Sequence, residues 1–232
     1  EGPKRFEVPP YDAKSRGRKI IAESGEIDRR RFLLSADPET REKLLRFKDI
    51  AKTVHQRYPE MIGVTIFGSQ VKGYANNRSD LDAYFIIDKD IRSEIIPPEA
   101  TELKTERRTY DLETEIIDLL KAVHLGLGLG SGIGIRSISD EKITEFCQKG
   151  ILDENTRVIM HLFHLGIGTG IYERREQILS NLENLGENGE RIWGHLMENL
   201  FLFFYEGFDE TLQEKRRTLY PRTLSEGRAY FL

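Results

Sequence analysis

Two short apolar runs, residues 62–69 (IGVTIFGS) and 81–88 (LDAYFIID), most constrain what this chain can fold into. Both runs are rich in β-branched and aromatic residues, and a polar, turn-rich link joins them. The sequence therefore predicts two strands that are close along the chain. The first run ends in Gly68 and Ser69, so the first predicted strand stops at a Gly-Ser corner.

Asp80 and Asp82 stand at the start of the second predicted strand. Because side chains two apart on a strand point to the same face, the two carboxylates project together, as oxygen ligation of Mg²⁺ requires. A Gly-Ser corner suits phosphate, since glycine lets a phosphate approach the backbone and the short helix expected next offers unpaired N–H groups. For the acidic pair alone, an ordinary turn-and-cap role is the alternative, because Ser-Asp is common turn chemistry.

A third acidic element follows at residues 109–118 (TYDLETEIID), where acids alternate with apolar or neutral residues. This alternation predicts a third strand with one acidic face, carrying Asp111, Glu113 and Glu115. Beside the first carboxylate pair, a third carboxylate would complete a site in which two metal ions clamp the attacking and leaving oxygens of a phosphate.

The stretch FGSQVKGYANNRSDLDAYFIID resembles the signature of the nucleotidyltransferase superfamily, whose best-known fold is that of DNA polymerase beta. The shared pattern is a hydrophobic strand, Gly-Ser, a spacer, and then Asp-hydrophobic-Asp-hydrophobic. The resemblance covers roughly residues 40–120. It implies a small mixed sheet, two Mg²⁺ ions (Mn²⁺ being an alternative), and a nucleoside triphosphate donor, with ATP favoured. It also implies transfer of a nucleoside monophosphate to an acceptor hydroxyl with release of pyrophosphate.

Carried over residue by residue, the resemblance implies that Gly68 and Ser69 hold the β- and γ-phosphates. Asp80 and Asp82 would ligate both metals. Glu113 is the favoured third ligand, which would also activate the acceptor hydroxyl, and the alternatives on its face are Asp111 and Glu115.

Basic side chains near these elements are candidates to neutralise a triphosphate: Lys72, Arg78, Arg107 and Arg108. Lys72 is favoured because it lies on the short helix expected after the Gly-Ser corner. Taken singly, each of the four is more commonly an ordinary surface charge.

The chain of 232 residues is predicted to be α+β, with an N-terminal arm over residues 1–37. A nucleotidyltransferase-fold domain, a mixed β-sheet with flanking helices, is expected over 38–125, where helical spacing first predicts a helix at 38–58. An all-helical domain is expected over 138–232. The boundary falls in the glycine-dense link between these two parts.

Composition and charge limit the binding partners and the cellular compartment that the sequence predicts. Lys and Arg number 35 against 39 Asp and Glu, a net charge of −4, so nucleic acid is a possible partner that charge does not favour. A single cysteine, no signal segment and no apolar run long enough to cross a bilayer predict a cytoplasmic protein without a membrane partner. The acceptor (small molecule, protein or tRNA) and the oligomeric state stay open.

Two further patterns favour structural roles. His161 and His164 lie three apart on an apolar segment without an acid cluster, which favours core histidines over a metal site. Aromatic residues at helical spacing near the C-terminus favour core packing over base stacking: Trp193, Phe201, Phe203, Phe204, Tyr205 and Phe208. A second hypothesis for the whole chain is a non-catalytic nucleotide-binding or toxin–antitoxin-like partner module.

Overall fold

A computed structural model describes residues 38–72, 81–91, 102–122, 133–205, 210–218 and 220–232. The predicted N-terminal arm, Asp80, Arg78, Phe208 and most of the glycine-dense link lie outside these ranges, as does the side chain of Lys72. Along the chain the elements are α1 (Pro38–Arg57), β1 (Met61–Phe67), α2 (Ser69–Lys72), β2 (Asp82–Asp88), α3 (Glu102–Ala122), β3 (Ile133–Ile138), α4 (Asp140–Lys149), α5 (Val158–His161), β4 (Leu165–Ile167), α6 (Thr169–Glu183), α7 (Glu187–Tyr205), α8 (Glu210–Arg217) and α9 (Leu224–Phe231).

The four strands form one mixed sheet in the order β3-β2-β1-β4. β1 is antiparallel to both β2 and β4, whereas β2 and β3 are parallel. This arrangement confirms the predicted α+β class and mixed sheet. The predictions of a helix at 38–58 and strands at 62–69 and 81–88 are also confirmed, because α1, β1 and β2 match them to within two residues at each end.

The predicted third strand at 109–118 is wrong, because these residues lie inside helix α3. The buried side chains of the segment, Leu112, Ile116 and Leu120, recur every four residues, which is helical spacing. They form the face that packs α3 against α1. On a helix Asp111 and Glu115 share a face, while Glu113 points elsewhere, so the predicted common acidic face does not exist.

The all-helical prediction for residues 138–232 is wrong at β4, which pairs with β1 over Val64–Ile66. Close contact between β4 and β1 depends on glycine. A Cβ on Gly63 would lie 2.4 Å from the carbonyl oxygen of Ile167, and Gly168, at φ +113, passes over Ile62 and Gly63. The proposed division of the chain near 125–138 stays a prediction, although the back half contributes directly to the sheet.

One hydrophobic core covers both faces of the sheet. β1 is packed between α1 on one face and α6 on the other. On the α1 side, Phe47 meets the ring of Phe85 edge-on at 5.6 Å. On the other side, the rings of Phe163, Trp193 and Phe231 pack mutually edge-on at 4.9–5.9 Å. The core role predicted for the aromatic residues is confirmed for four of them: Trp193, Phe201, Phe204 and Tyr205.

Arg174 on α6 links the end of β2 to helix α4 through hydrogen bonds and ion pairs. Its Nε and Nη2 atoms donate to Asp88 Oδ2 at 3.0 and 2.7 Å, and Nη1 donates to Asp140 Oδ1 at 2.6 Å. Asp90 completes the ion-pair cluster at 3.0 Å. Hydrogen bonds from Gln177 and from Arg174 hold the pKa of the Asp140 carboxyl below its usual range.

Replacing Arg174 should therefore destabilise the fold strongly. The Arg174→Leu variant leaves Asp88 buried without its cation, which costs about 3 kcal/mol of unfolding free energy in comparable buried pairs. The matched control is Arg228→Leu, since Arg228 also pairs with two carboxylates but in more exposed positions. Urea denaturation should show a much smaller loss for Arg228→Leu, because solvent screens that cluster. Equal losses would contradict the role given to burial.

Candidate active site

Gly68 and Asp82 meet where β1 ends and β2 begins. Phe67 is the pairing partner of Asp82, so the two strand ends lie side by side. Gly68 has a φ of +76°, and a Cβ built on it would lie 1.8 Å from Asp82 Oδ2. The Asp82 carboxylate therefore occupies the space that any larger residue at position 68 would fill. Ser69 follows at once and starts α2, where the N–H of Val71 donates to the Gly68 carbonyl at 3.2 Å.

Three predicted site residues, Gly68, Ser69 and Asp82, are thus brought together at this corner. Asp82 is half-exposed, and its carboxylate offers the hard oxygen donors that Mg²⁺ prefers. The two other residues predicted here, Asp80 and the side chain of Lys72, lie outside the described residues.

The acids of α3 are not brought to the corner. Glu115 is held by Arg57 at 2.8 Å, and Arg108 pairs with Glu60, so this part of α3 lies by the start of β1. Asp82, by contrast, pairs with the last residue of β1. Glu113 is exposed on α3. Within the described ranges no three His, Cys, Asp or Glu residues are grouped closely enough to hold a metal ion.

On the side away from β1, β2 pairs with β3. The sequence of β3, IGIRSI, contains no carboxylate. It carries Arg136 instead, a residue that the sequence interpretation missed. The Arg136 guanidinium lies 4.4 Å above the ring of Tyr84, and its Nη1 donates to the Ile135 carbonyl at 3.0 Å. The alternating isoleucines before Arg136 are the sequence pattern that indicates a strand here. They adjoin the glycine-dense link, so the sequence interpretation places them in a connection.

Arg107 and Arg108, two of the basic residues predicted to neutralise a triphosphate, lie on α3 and not at the corner. Arg108 is engaged with Glu60 and lies 5.0 Å from the centre of the Tyr58 ring, at the start of β1. Arg107 is exposed on the same helix α3. Arg136 on β3 is closer to the corner, because Tyr84 beneath it lies two residues from Asp82 on the same face of the sheet.

A cluster of aromatic and histidine rings covers the sheet face next to the corner. The aromatic–histidine cluster comprises Phe67, Tyr84, His161, His164 and Phe203, with ring centres 4.5–6.4 Å apart. His161 Nδ1 and His164 Nε2 share a hydrogen bond of 3.0 Å. Both histidines are buried, which confirms the predicted core role.

The His161 ring is neutral at physiological pH. Burial, and then the positive charges of Arg136 and Arg157, lower the pKa of His161 to about 3. A neutral imidazole carries one N–H, so one ring of the histidine pair donates and the other accepts. The His161 ring therefore adds no positive charge to the sheet face beside Asp82.

A separate cavity of about 470 Å³ lies at the other end of β1, between α1 and the start of α6. Its walls include Met61, Ile62 and Tyr172, with Lys48 and Lys52 among the polar lining residues. The length of β1 separates this cavity from the corner that contains Asp82.

Comparison with known proteins adds no relative. A scan against protein-family models, a search of curated proteins and a search of solved structures each found no match. In the part of the chain that the structure describes, no helix is both long enough and apolar enough to span a membrane. The functional argument therefore depends on the residues themselves.

The contact between Gly68 and Asp82 can be tested with a matched pair of glycine substitutions. Gly68→Ala and Gly186→Ala both place alanine at positive φ, but nothing lies within 4 Å of a Cβ at Gly186. Gly68→Ala should lose about 2 kcal/mol more unfolding free energy, as overpacking typically costs. Urea denaturation measures both losses. Equal losses would show that the Asp82 carboxylate moves aside freely.

Acid should destabilise the protein through His161. The folded-state pKa of about 3 lies below the usual histidine pKa of 6.5, so the unfolded chain takes up the proton first. The free energy of unfolding should fall by about 1.4 kcal/mol per unit as the pH drops from about 6.5 towards 3. Urea denaturation at pH 7.5 and 5.0 should show a shallower dependence for His161→Gln. His195→Gln, exposed on α7, should keep the wild-type dependence, and an unchanged slope in His161→Gln would contradict the assignment.

Proposed function

We propose that the protein is a metal-dependent nucleotidyltransferase that moves a nucleoside monophosphate from a nucleoside triphosphate to an acceptor hydroxyl. The observation that carries this proposal is the contact between Gly68 and the Asp82 carboxylate. It supports the proposal because the contact places a carboxylate suited to a divalent cation against the Gly-Ser corner that the sequence motif assigns to phosphate. The resemblance in sequence around Gly68 and Asp82 points to the same chemistry.

The residues present fit magnesium. Asp82, with Asp80 two positions before it, would supply the hard oxygen ligands. Bound magnesium would neutralise phosphate charge and polarise the α-phosphate. Gly68 leaves room for the Asp82 carboxylate at the corner, and the pairing of Phe67 with Asp82 fixes the backbone of Asp82. Such fixed groups need little rearrangement when charge develops during the reaction.

The phosphates of the donor would lie over the Gly68-Ser69 corner. There the backbone at the start of α2 would contact the phosphate oxygens. The acceptor oxygen would then form a bond to the α-phosphorus while the bond to the β-phosphate oxygen breaks. Pyrophosphate leaves, and the acceptor hydroxyl gives up its proton.

The second candidate is a nucleotide-binding module without catalytic activity. It is favoured by one observation, the absence of any carboxylate from β3, the strand next to β2. A site with one acidic pair could bind a magnesium nucleotide without activating the acceptor. The acceptor class (small molecule, protein or tRNA) is the further part of the proposal that an experiment must identify.

Label transfer tests the proposal directly. The full chain is incubated with each α-³²P nucleoside triphosphate, ATP first, with Mg²⁺ or Mn²⁺ and with tRNA, extract protein or small-molecule fractions. Wild type should label one fraction and release pyrophosphate. Asp82→Asn should lose at least a hundredfold in rate, because it removes a proposed metal ligand. Glu113→Gln, the matched change on α3, should stay within about twofold of wild type, because Glu113 is exposed on a helix outside the corner.

Each alternative result is informative. Label transfer that survives in Asp82→Asn would contradict the proposed site. Loss of transfer in Glu113→Gln would restore Glu113 as the third ligand. If Mg²⁺ and ATP raise the melting temperature of wild type but never yield pyrophosphate with any fraction, the binding module replaces the enzyme.

A further inference from the structure

Two exposed arginines beside the aromatic–histidine cluster have no acidic partner within the described residues. They are Arg136 on β3 and Arg157, just before α5. Several arginines elsewhere pair with carboxylates, whereas Arg222 is exposed without an ion pair among the described residues but lies far along the chain, after α8. The paired ones include Arg108, Arg174, Arg217 and Arg228. In a chain of net charge −4, two such cations at one place form a local site of opposite sign.

Both arginines adjoin the aromatic–histidine cluster. Arg136 lies 4.4 Å from the centre of the Tyr84 ring, and Tyr84 lies 4.5 Å from His161. Arg157 precedes His161 by four residues, about one helical turn, and α5 packs on β3. After burial, the charges of both guanidinium groups lower the pKa of His161, so both groups lie near the same buried ring.

Arg136 is already held in place before any ligand arrives. Its guanidinium rests on the Tyr84 ring, and one nitrogen donates to the Ile135 carbonyl. Gly134 lies beneath it, where a Cβ would come within 3.2 Å of Arg136 Nη1. A planar guanidinium fixed in this way loses little conformational freedom on binding, and its remaining N–H groups match the oxygens of a phosphate.

This patch continues the corner. Tyr84 and Asp82 lie on the same face of β2, about 7 Å apart along the strand. A phosphate chain attached to a nucleotide at Asp82 can therefore extend towards Arg136. Gly68 and Ser69 would contact the same chain from the opposite side of Asp82, since β1 and β3 flank β2.

We propose that Arg136 and Arg157 together form a binding site for the phosphate chain of the nucleotide held at Asp82. The identity of the ligand rests on the proposed function, whereas the anion site itself rests on two exposed guanidinium groups that have no acidic partner among the described residues. The site takes the role that sequence interpretation gave to Lys72 and Arg78, Arg107 and Arg108.

Calorimetric titration with tripolyphosphate in EDTA tests the anion site without metal or catalysis. The full chain should bind, and Arg136→Gln and Arg157→Gln should each weaken the affinity about tenfold, as loss of one charged hydrogen-bonding group predicts. The double variant should bind at least tenfold more weakly than either single variant. Arg222→Gln is the matched control, since Arg222 is exposed and has no ion pair among the described residues. It should bind like wild type.

Melting temperatures separate binding from folding. All four variants should melt within a degree or two of wild type, since the substituted side chains are exposed and form no ion pair in the described part of the chain. Wild type that fails to bind tripolyphosphate, or a double variant that binds it equally well, would overturn the proposal. Arginine-dependent binding without any label transfer would keep the anion site and reject the nucleotidyltransferase.

Discussion

The buried guanidinium of Arg175 holds together the segments of the back half that pack on the sheet. It is fully buried and donates to the carbonyls of Leu162, His164 and Phe231. The guanidinium also lies over aromatic rings, including that of Tyr172, whose centre is 5.0 Å away. Burial lowers the pKa of Arg175 to about 10, so the group is still charged at neutral pH. One cation therefore satisfies three carbonyls from two segments, the turn between α5 and β4 and the end of α9.

Through these carbonyls, Arg175 fixes the turn between α5 and β4. That turn sets β4 against β1 and holds His161 and His164 over Phe67, beside the Asp82 corner. The helical half is thus part of the surroundings of the candidate site. A residue in α6 controls which rings lie next to a carboxylate on β2.

The sequence could predict the elements whose patterns are complete within a few residues. β1 and β2 are continuous apolar runs, and Gly68, Ser69 and Asp82 follow from their ends. The strand prediction for residues 109–118 is wrong because alternating acids over a short window fit a strand. The helical spacing of the buried residues Leu112 and Ile116 becomes clear only over a longer stretch of sequence. Tertiary packing against α1 decides between the two periods. β4 has only three residues, too few for any alternation to show.

The candidate site follows the same division. The corner is local in sequence, so its spacing was visible, and the core role of the histidines followed from their apolar surroundings. The prediction of a third carboxylate depends on an acidic strand next to β2. The strand that pairs with β2 on the side away from β1 is β3, which carries Arg136 instead. Strand order depends on contacts between distant segments, which one sequence does not display. The contribution of β3 could be recognised only after the sheet was assembled.

The pairing of Val64 with Ile167 also determines when the sheet can form. During synthesis, β1 leaves the ribosome long before its partner β4, and its contacts with β4 must wait for the intervening chain. Until then one edge of an apolar strand presents open N–H and C=O groups, which can pair with another polypeptide. The fold therefore has an exposed strand edge that can aggregate as a nascent chain, in the interval that ends when Ile167 emerges.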